Sequence, residues 1–138
     1  MPQVIEKLML ETTGKQIINI TQKISSKLDG LNLKNGLLNL TVLHTSSSLM
    51  IQENADPSVL KDISNYLEKI VPEKADYLHD SEGPDDMPAH IKSLLTNTQL
   101  TLSVINGTVE LGTWQGIFFL EHRTIGRKRE ILFHFIGD

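Results

Sequence analysis

The side chains best suited to chemistry in this sequence are its five histidines, and there is no cysteine among the 138 residues. Thiolate ligands, disulfides and a Cys nucleophile are therefore excluded. What remains is imidazole, carboxylate, hydroxyl and guanidinium chemistry. Three imidazoles and an open water position form the donor set of a catalytic zinc or related divalent ion. The histidines are spaced too irregularly for a local ligand motif, so a metal reading and a structural one both stand at this level.

Each candidate has a sharp and a plain reading. His44 ends a strand and runs into Thr45-Ser46-Ser47-Ser48, whose hydroxyls and backbone N–H groups could cradle an anion. A core-edge ring bonded to a carbonyl explains it as well. His90 falls in the first turn of a helix opened by Pro88, where the positive helix end favours the neutral, metal-binding ring. A solvent-facing His is the alternative. His79 lies in an acidic loop beside Asp80, Glu82, Asp85 and Asp86. His134, between Phe133 and Phe135, reads as structural. Glu121-His122-Arg123 places an acid, a ligand type and an anion clamp at one strand end; an ion-paired strand edge would use the same residues. Arg127-Lys128-Arg129 is the basic cluster of the chain. It is either a solvated hairpin or a phosphate-gripping lip, since Arg grips phosphate with a bidentate fork.

The elements that must position these groups follow from periodicity. Val4 to Leu10 reads as a strand, Ile17-Ile18-Ile20 as a second short strand or the approach to a helix, and Ile20, Ile24 and Leu28 as one helix face. Leu37 to His44 alternates as a strand after the Asn35-Gly36 turn. Asp56 caps a helix with Pro57 in its first position and an apolar stripe from Val59 to Val71. Residues 73–86 carry no regular signal, a length that is usually functional or disordered. A short helix follows, with Ile91, Leu94 and Leu95 expected inward. Leu100 to Val104 turns at Asn106-Gly107 into a long strand from Thr108 to about Arg123. Period 2 puts Phe118, Leu120 and His122 on one face and Ile117, Phe119 and Glu121 on the other. Ile131 to Ile136 is apolar at nearly every position, so both its faces should be covered. The expected architecture is α+β: a sandwich of mostly antiparallel strands with two or three flanking helices, in a single domain spanning 1–138.

Charge and hydropathy narrow the function. Thirteen Lys+Arg against 17 Asp+Glu leave a formal charge of −4, which argues against a nucleic-acid partner. No apolar run approaches the length of a membrane span, and Met1-Pro2-Gln3-Val4 lacks a signal-peptide pattern. A cytoplasmic protein with no membrane partner is expected.

Several blocks together resemble the YjbQ family: His44-Thr45-Ser46-Ser47-Ser48, Glu53-Asn54-Ala55-Asp56-Pro57, Glu82-Gly83, Asp85-Asp86-Met87-Pro88-Ala89-His90-Ile91-Lys92, Gly112-Thr113-Trp114-Gln115-Gly116 and Glu121-His122-Arg123. They stand in the family's order, and the flanking strands fit as well. Pro84 and the third Ser, at position 48, depart from the pattern without removing a candidate ligand. The resemblance implies a jelly-roll-like sandwich that assembles as a homotrimer, with clustered histidines able to hold a divalent metal, zinc foremost, near a subunit boundary. It also implies a weak thiamine-phosphate synthase activity, joining a pyrimidine pyrophosphate to a thiazole phosphate. Carried onto this sequence, the metal ligands are His44, His90 and His122, with His79 as a fourth. Asp86 and Glu121 orient ligands or accept a proton, and Arg123 joins them in catalysis. Ser46, Ser48, Asn54, Thr113, Gln115 and Arg123 contact the phosphorylated substrate. A metal-dependent hydrolase of another small substrate, or a non-enzymatic trimeric binding module, would use the same pocket.

Overall fold

A computed structural model describes residues 2–138. Its elements are β1 (Gln3–Glu11), β2 (Gln16–Asn19), α1 (Thr21–Gly30), β3 (Gly36–Val42), β4 (Ser47–Glu53), α2 (Pro57–Ile70), α3 (Asp86–Leu95), β5 (Gln99–Ile105), β6 (Thr108–Val109), β7 (Gln115–Glu121) and β8 (Lys128–Gly137). The strands form two antiparallel sheets, ordered β1-β8-β3-β5-β6 and β2-β7-β4. The result is the expected α+β, jelly-roll-like sandwich.

The core lies between the sheets. Leu38 and Leu40 of β3, Ile131, Phe133 and Phe135 of β8, and Ile117 and Phe119 of β7 are completely buried there, with Ile24 and Leu28 of α1 closing one side. Period-2 alternation produces this directly, because every second side chain of a strand points to the same face. The other face of β7 presents Phe118 and Leu120, which with Met50 of β4 form a smaller cluster under α2.

Four expectations are corrected. The run from Thr108 to Arg123 is not one strand: β6 ends after Val109, and the chain crosses to the other sheet before β7. The crossing is held at Gly112, whose N–H donates to Gln115 Oε1 at 2.7 Å while its carbonyl accepts from the Gln115 N–H at 3.1 Å. Second, β8 buries only one face; Leu132 and His134 are half-buried and Ile136 is exposed, because no layer among the described residues covers the outer side of the larger sheet. Third, α2 begins as expected, with the Asp56 carboxylate accepting from the Ser58 N–H at 3.0 Å. Yet none of its residues is buried, and Tyr66 and Ile70 face solvent. Leu60, Ile63 and Leu67 rest on the small cluster, leaving a cleft beside it. Fourth, α3 is turned the other way round. Leu94 and Leu95 are exposed, and Asp86, Lys92 and Ser93 are buried with Pro88 and Ala89. A helix that buries its polar side must find partners for those groups.

At one end of the sandwich a buried ion pair joins the sheets. Glu121 of β7 and Arg129 of β8 are 2 % exposed each. Arg129 Nε donates to Glu121 Oε1 at 2.8 Å and a second N–H reaches Oε2. That terminal nitrogen also donates to Ser46 Oγ at 2.9 Å, and the Thr12 hydroxyl donates to Glu121 Oε1 at 2.7 Å. Arg129 is therefore an internal cross-link, not part of a surface phosphate lip. Burial alone would raise the Glu121 carboxyl, but the bonds from Arg129, Thr12 and the Arg123 N–H outweigh it and hold it below the ordinary carboxylate range. The stability this contributes is present above the ordinary carboxylate pKa and is lost as pH falls through the depressed value. Arg129→Met and Glu121→Leu should each cost about 3–5 kcal/mol, because each leaves a buried charge alone. The double variant should lose clearly less than the sum. Urea denaturation of the three variants measures this, and strict additivity would contradict the pairing.

Candidate metal centre

Two elements bring three ligand types together. The irregular segment after Val71 carries His79, and the first turn and a half of α3 carries Asp86 and His90, which at i and i+4 share one helix face. One ligand atom from each of His79, Asp86 and His90 lies within 4.8 Å of the others. Asp86 Oδ2 is 2.6 Å from His79 Nε2 and 3.2 Å from His90 Nε2. The two rings sit 5.5 Å apart, tilted by 52°.

The proton positions in this group are constrained from behind. His90 Nδ1 is 2.8 Å from the Thr45 carbonyl oxygen, which can only accept, so Nδ1 carries the proton. A neutral His90 then turns the Nε2 lone pair toward an ionised carboxylate. Two acceptors face each other, and only a cation resolves that: a second proton on the ring, or a metal ion among the three groups. Backbone anchoring of the remote ring nitrogen is the usual way a metal-ligating His is oriented.

Asp86 is anchored too. Arg123 donates to Asp86 Oδ1 at 2.6 Å, to Asp85 Oδ2 at 2.9 Å through Nε, and to the Glu82 carbonyl at 3.0 Å. Burial would raise the Asp86 carboxyl, yet His79, His90 and Arg123 together hold it below the usual range. Asp85 behaves alike: against burial, the Thr124 N–H and Arg123 bring it to about 2. Both carboxylates are thus ionised at neutral pH. His79, hydrogen-bonded to Asp86, is held above the ordinary imidazole range.

The remaining sequence candidates lie elsewhere. His44 Nε2 accepts the Glu130 N–H at 2.7 Å, and burial, then Arg129, lowers its pKa. His122 is buried against Ser48, with Nε2 and Oγ 2.8 Å apart. Burial, then the Lys92 charge, holds it to about 4, so it is neutral. Ser46 holds Arg129, and Glu121 belongs to the internal ion pair. Asn54, Thr113 and Gln115 gather at the opposite end of the smaller sheet, where Asn54 Nδ2 donates to the Gln115 carbonyl at 3.3 Å. Glu53 pairs with Gln115 and Ser47 with Glu121, so these ends are about 20 Å apart along the strands. Of the sequence candidates, then, His79, Asp86, His90 and Arg123 come together. Asp85 was missed; its neighbour Asp86 at i,i+4 from His90 was the available signal.

Comparison with known proteins agrees with this architecture. A family model described as "UPF0047 protein YjbQ-like" matches residues 6–138. A UPF0047 protein of Synechocystis is 46 % identical over 134 residues, covering 96 % of this chain and 91 % of its own. The UPF0047 protein YjbQ of Salmonella typhimurium is 48 % identical over 120 residues, 86 % of this chain and 87 % of the relative. The crystal structure of an uncharacterized conserved protein of the YjbQ/UPF0047 family from Clostridium acetobutylicum matches with a TM-score of 0.86 at 35 % identity, covering 95 % of this chain and 99 % of that one.

The neutral, buried His122 has a measurable consequence. On unfolding below its ordinary pKa of 6.5 it takes up a proton that the folded site, at about 4, refuses. Stability from this group is therefore full above pH 6.5 and falls as pH drops toward 4, by about 3 kcal/mol in all. Urea denaturation across that range should show a shallower pH dependence for His122→Gln than for the wild type. Identical slopes would show that the ring is not held neutral.

Proposed function

Because the chain belongs to the YjbQ-like UPF0047 family, we propose that it is a small divalent-metal enzyme acting on a phosphorylated small molecule, thiamine-phosphate synthesis being the reaction put forward. The observation that carries this reading is the Asp86 carboxylate set between two imidazole Nε2 atoms, one with its proton placed on the far nitrogen by Thr45. Two imidazoles, with a metal displacing any proton on the Nε2 that faces Asp86, and a carboxylate are a donor set that suits zinc and also iron(II), and the donors leave coordination positions free. His79, Asp86 and His90 would hold the ion. When bound, it would supply Lewis-acid stabilisation of the oxygens of a departing pyrophosphate.

The chain's own residues have separate tasks. Thr45 fixes the tautomer of His90. Arg123 spends three of its five N–H groups on Asp85, Asp86 and the Glu82 carbonyl, which helps keep both carboxylates ionised and in place; its other N–H groups have no partner among the described residues and would meet a substrate phosphate. In the proposed reaction the thiazole nitrogen forms a bond to the pyrimidine methylene as the carbon–oxygen bond to pyrophosphate breaks. The protein contributes position and charge, and no nucleophile of its own. The exposed apolar residues on the outer face of the larger sheet, Ile5, Met9, Leu37 and Ile136, support assembly as a homotrimer.

The test begins with elemental analysis of untagged protein purified without added metal. About one divalent ion per chain is expected. His90→Ala and Asp86→Asn should lose it while staying folded, and His134→Ala should retain it. Removing the metal should abolish pyrophosphate release from the pyrimidine pyrophosphate without unfolding the chain. Metal content unaffected by His90→Ala, or no uptake on reconstitution, would overturn the proposal. A fall in thermal stability or in oligomer size on metal removal, with no turnover at any stage, would favour a structural site.

A further inference from the structure

The cleft left by the loose seating of α2 lies on the far side of α3 from the metal centre. His90 and Lys92 are two positions apart, about 200° around the helix. One lines the His79–Asp86 group; the other lines a cleft of about 440 Å³ bounded by α2, β2 and β7. Clefts of this size hold drug-sized molecules.

Its walls divide by chemistry. Leu60 and Leu67 of α2 and Leu120 of β7 form an apolar side. Lys92, also lining the cleft, is 2 % exposed and meets the Glu68 carboxylate of α2. Lys15 reaches the same Glu68 oxygen at 3.1 Å and Glu73 at 2.6 Å. One carboxylate oxygen of Glu68 thus sits between two ammonium groups, with Glu73 also meeting Lys15, so the two lysines already hold an anionic group at this position. Glu68 is itself 44 % exposed in its side chain, carried on a helix with no buried residue, so its carboxylate can swing out to water. Lys61 adds a further positive charge at the rim.

The floor holds a second, independent feature. His122 is 4 % exposed and lines the cleft. Its Nε2 is taken by Ser48 Oγ, which is 2.6 Å from Thr96 Oγ1, itself 2.8 Å from the Lys92 carbonyl. Its Nδ1 has no partner among the described residues. The hydroxyl chain can run in either direction, because the Lys92 carbonyl already accepts the Thr96 backbone N–H at 3.1 Å. In one order Ser48 accepts from His122 and Nδ1 is a lone pair; in the other Ser48 donates and Nδ1 is an N–H donor. A neutral ring backed in this way can meet either a donor or an acceptor.

We infer that this cleft is a second binding site, for a small organic anion. The phosphate or carboxylate of the ligand sits between Lys15 and Lys92 in place of Glu68, its apolar body lies against Leu60 and Leu120, and a polar group meets His122 Nδ1. The site is separate from the metal centre and does not rest on the reaction proposed there.

The experiment is calorimetric titration of metal-stripped full-length protein with phenyl phosphate and, separately, with benzoate. At least one should bind, and the tighter of the two identifies the head group. Glu68→Gln removes the internal competitor and should tighten binding several-fold. Lys92→Met keeps the buried stem, removes the ammonium and should weaken binding about tenfold or more. Leu60→Trp, on the partly exposed wall, should block the cleft and abolish binding, and it serves as the test if Lys92→Met does not fold. His90→Ala should bind like the wild type. Failure of both probes to bind the wild type and Glu68→Gln would overturn the inference. So would binding that survives Leu60→Trp but is lost in His90→Ala, which would move the anion to the metal centre.

Discussion

The pairing of Glu121 with Arg129 is the constraint around which the functional end of this molecule is arranged. A strand whose alternate residues Ile117 and Phe119 fill the core places its next inward residue, Glu121, in the same water-poor layer. An ionised carboxylate there needs a partner, and the neighbouring sheet provides one in Arg129. The same guanidinium seizes Ser46 and so fixes the β3–β4 connection. From that connection Thr45 offers the carbonyl that orients His90, and Ser48, the second residue of β4, offers the hydroxyl that holds His122. The loop that orients His90 is therefore tied to that buried salt bridge through Ser46. Such a pair adds little net stability over an apolar substitute, but removing half of it is costly, which ties the two sheets and that loop to one geometry.

Helix α3 shows how that geometry is spent. An ordinary flanking helix turns leucines inward; this one turns Asp86, Lys92 and Ser93 inward and leaves Leu94 and Leu95 in water. Its two buried charges point to different places, Asp86 to the histidines and Lys92 to the α2 cleft, and each is met by an opposite charge. The helix acts as a partition between two polar sites. Its exposed leucines, with those on the outer face of the larger sheet, are surface that a single chain leaves uncovered.

The electrostatics of the two sites differ in a way that suits different ligands. At the candidate metal centre, Asp86 is held ionised by His79, His90 and Arg123, and Asp85 by the Thr124 N–H and Arg123. Asp86 faces two imidazoles, an arrangement that suits a cation. In the cleft, Lys15 and Lys92 converge on one Glu68 oxygen beside a neutral ring, with Glu73 also meeting Lys15, and an anion entering there would take the place of Glu68. Neither arrangement is demanded by the packing of the core, which lies on the other side of β7.

The sequence by itself determined most of the architecture and part of the site. Alternation in β3 and β8, the Ile24–Leu28 face of α1, and the Asp56-Pro57 start of α2 are local signals, written in the period of a strand or helix, and each placed its element. In β7 alternation gave the two faces but not where the strand begins. Asp86 and His90 stand four residues apart, but the local pattern puts Asp86 in the irregular segment 73–86, so only the helix's actual start at Asp86 sets them on one face. What only the tertiary structure decided was which distant groups meet. His79 could join His90 or stand alone, since an irregular segment has no period to fix where its side chains go. Arg129 read as surface because a run of three basic residues says nothing of a glutamate eight positions earlier on another sheet. The inward turn of Lys92, and the crossing of the chain between sheets at Gly112, follow from partners far apart in sequence. Local pattern records the face on which a residue lies; long-range charge and burial select what it touches there.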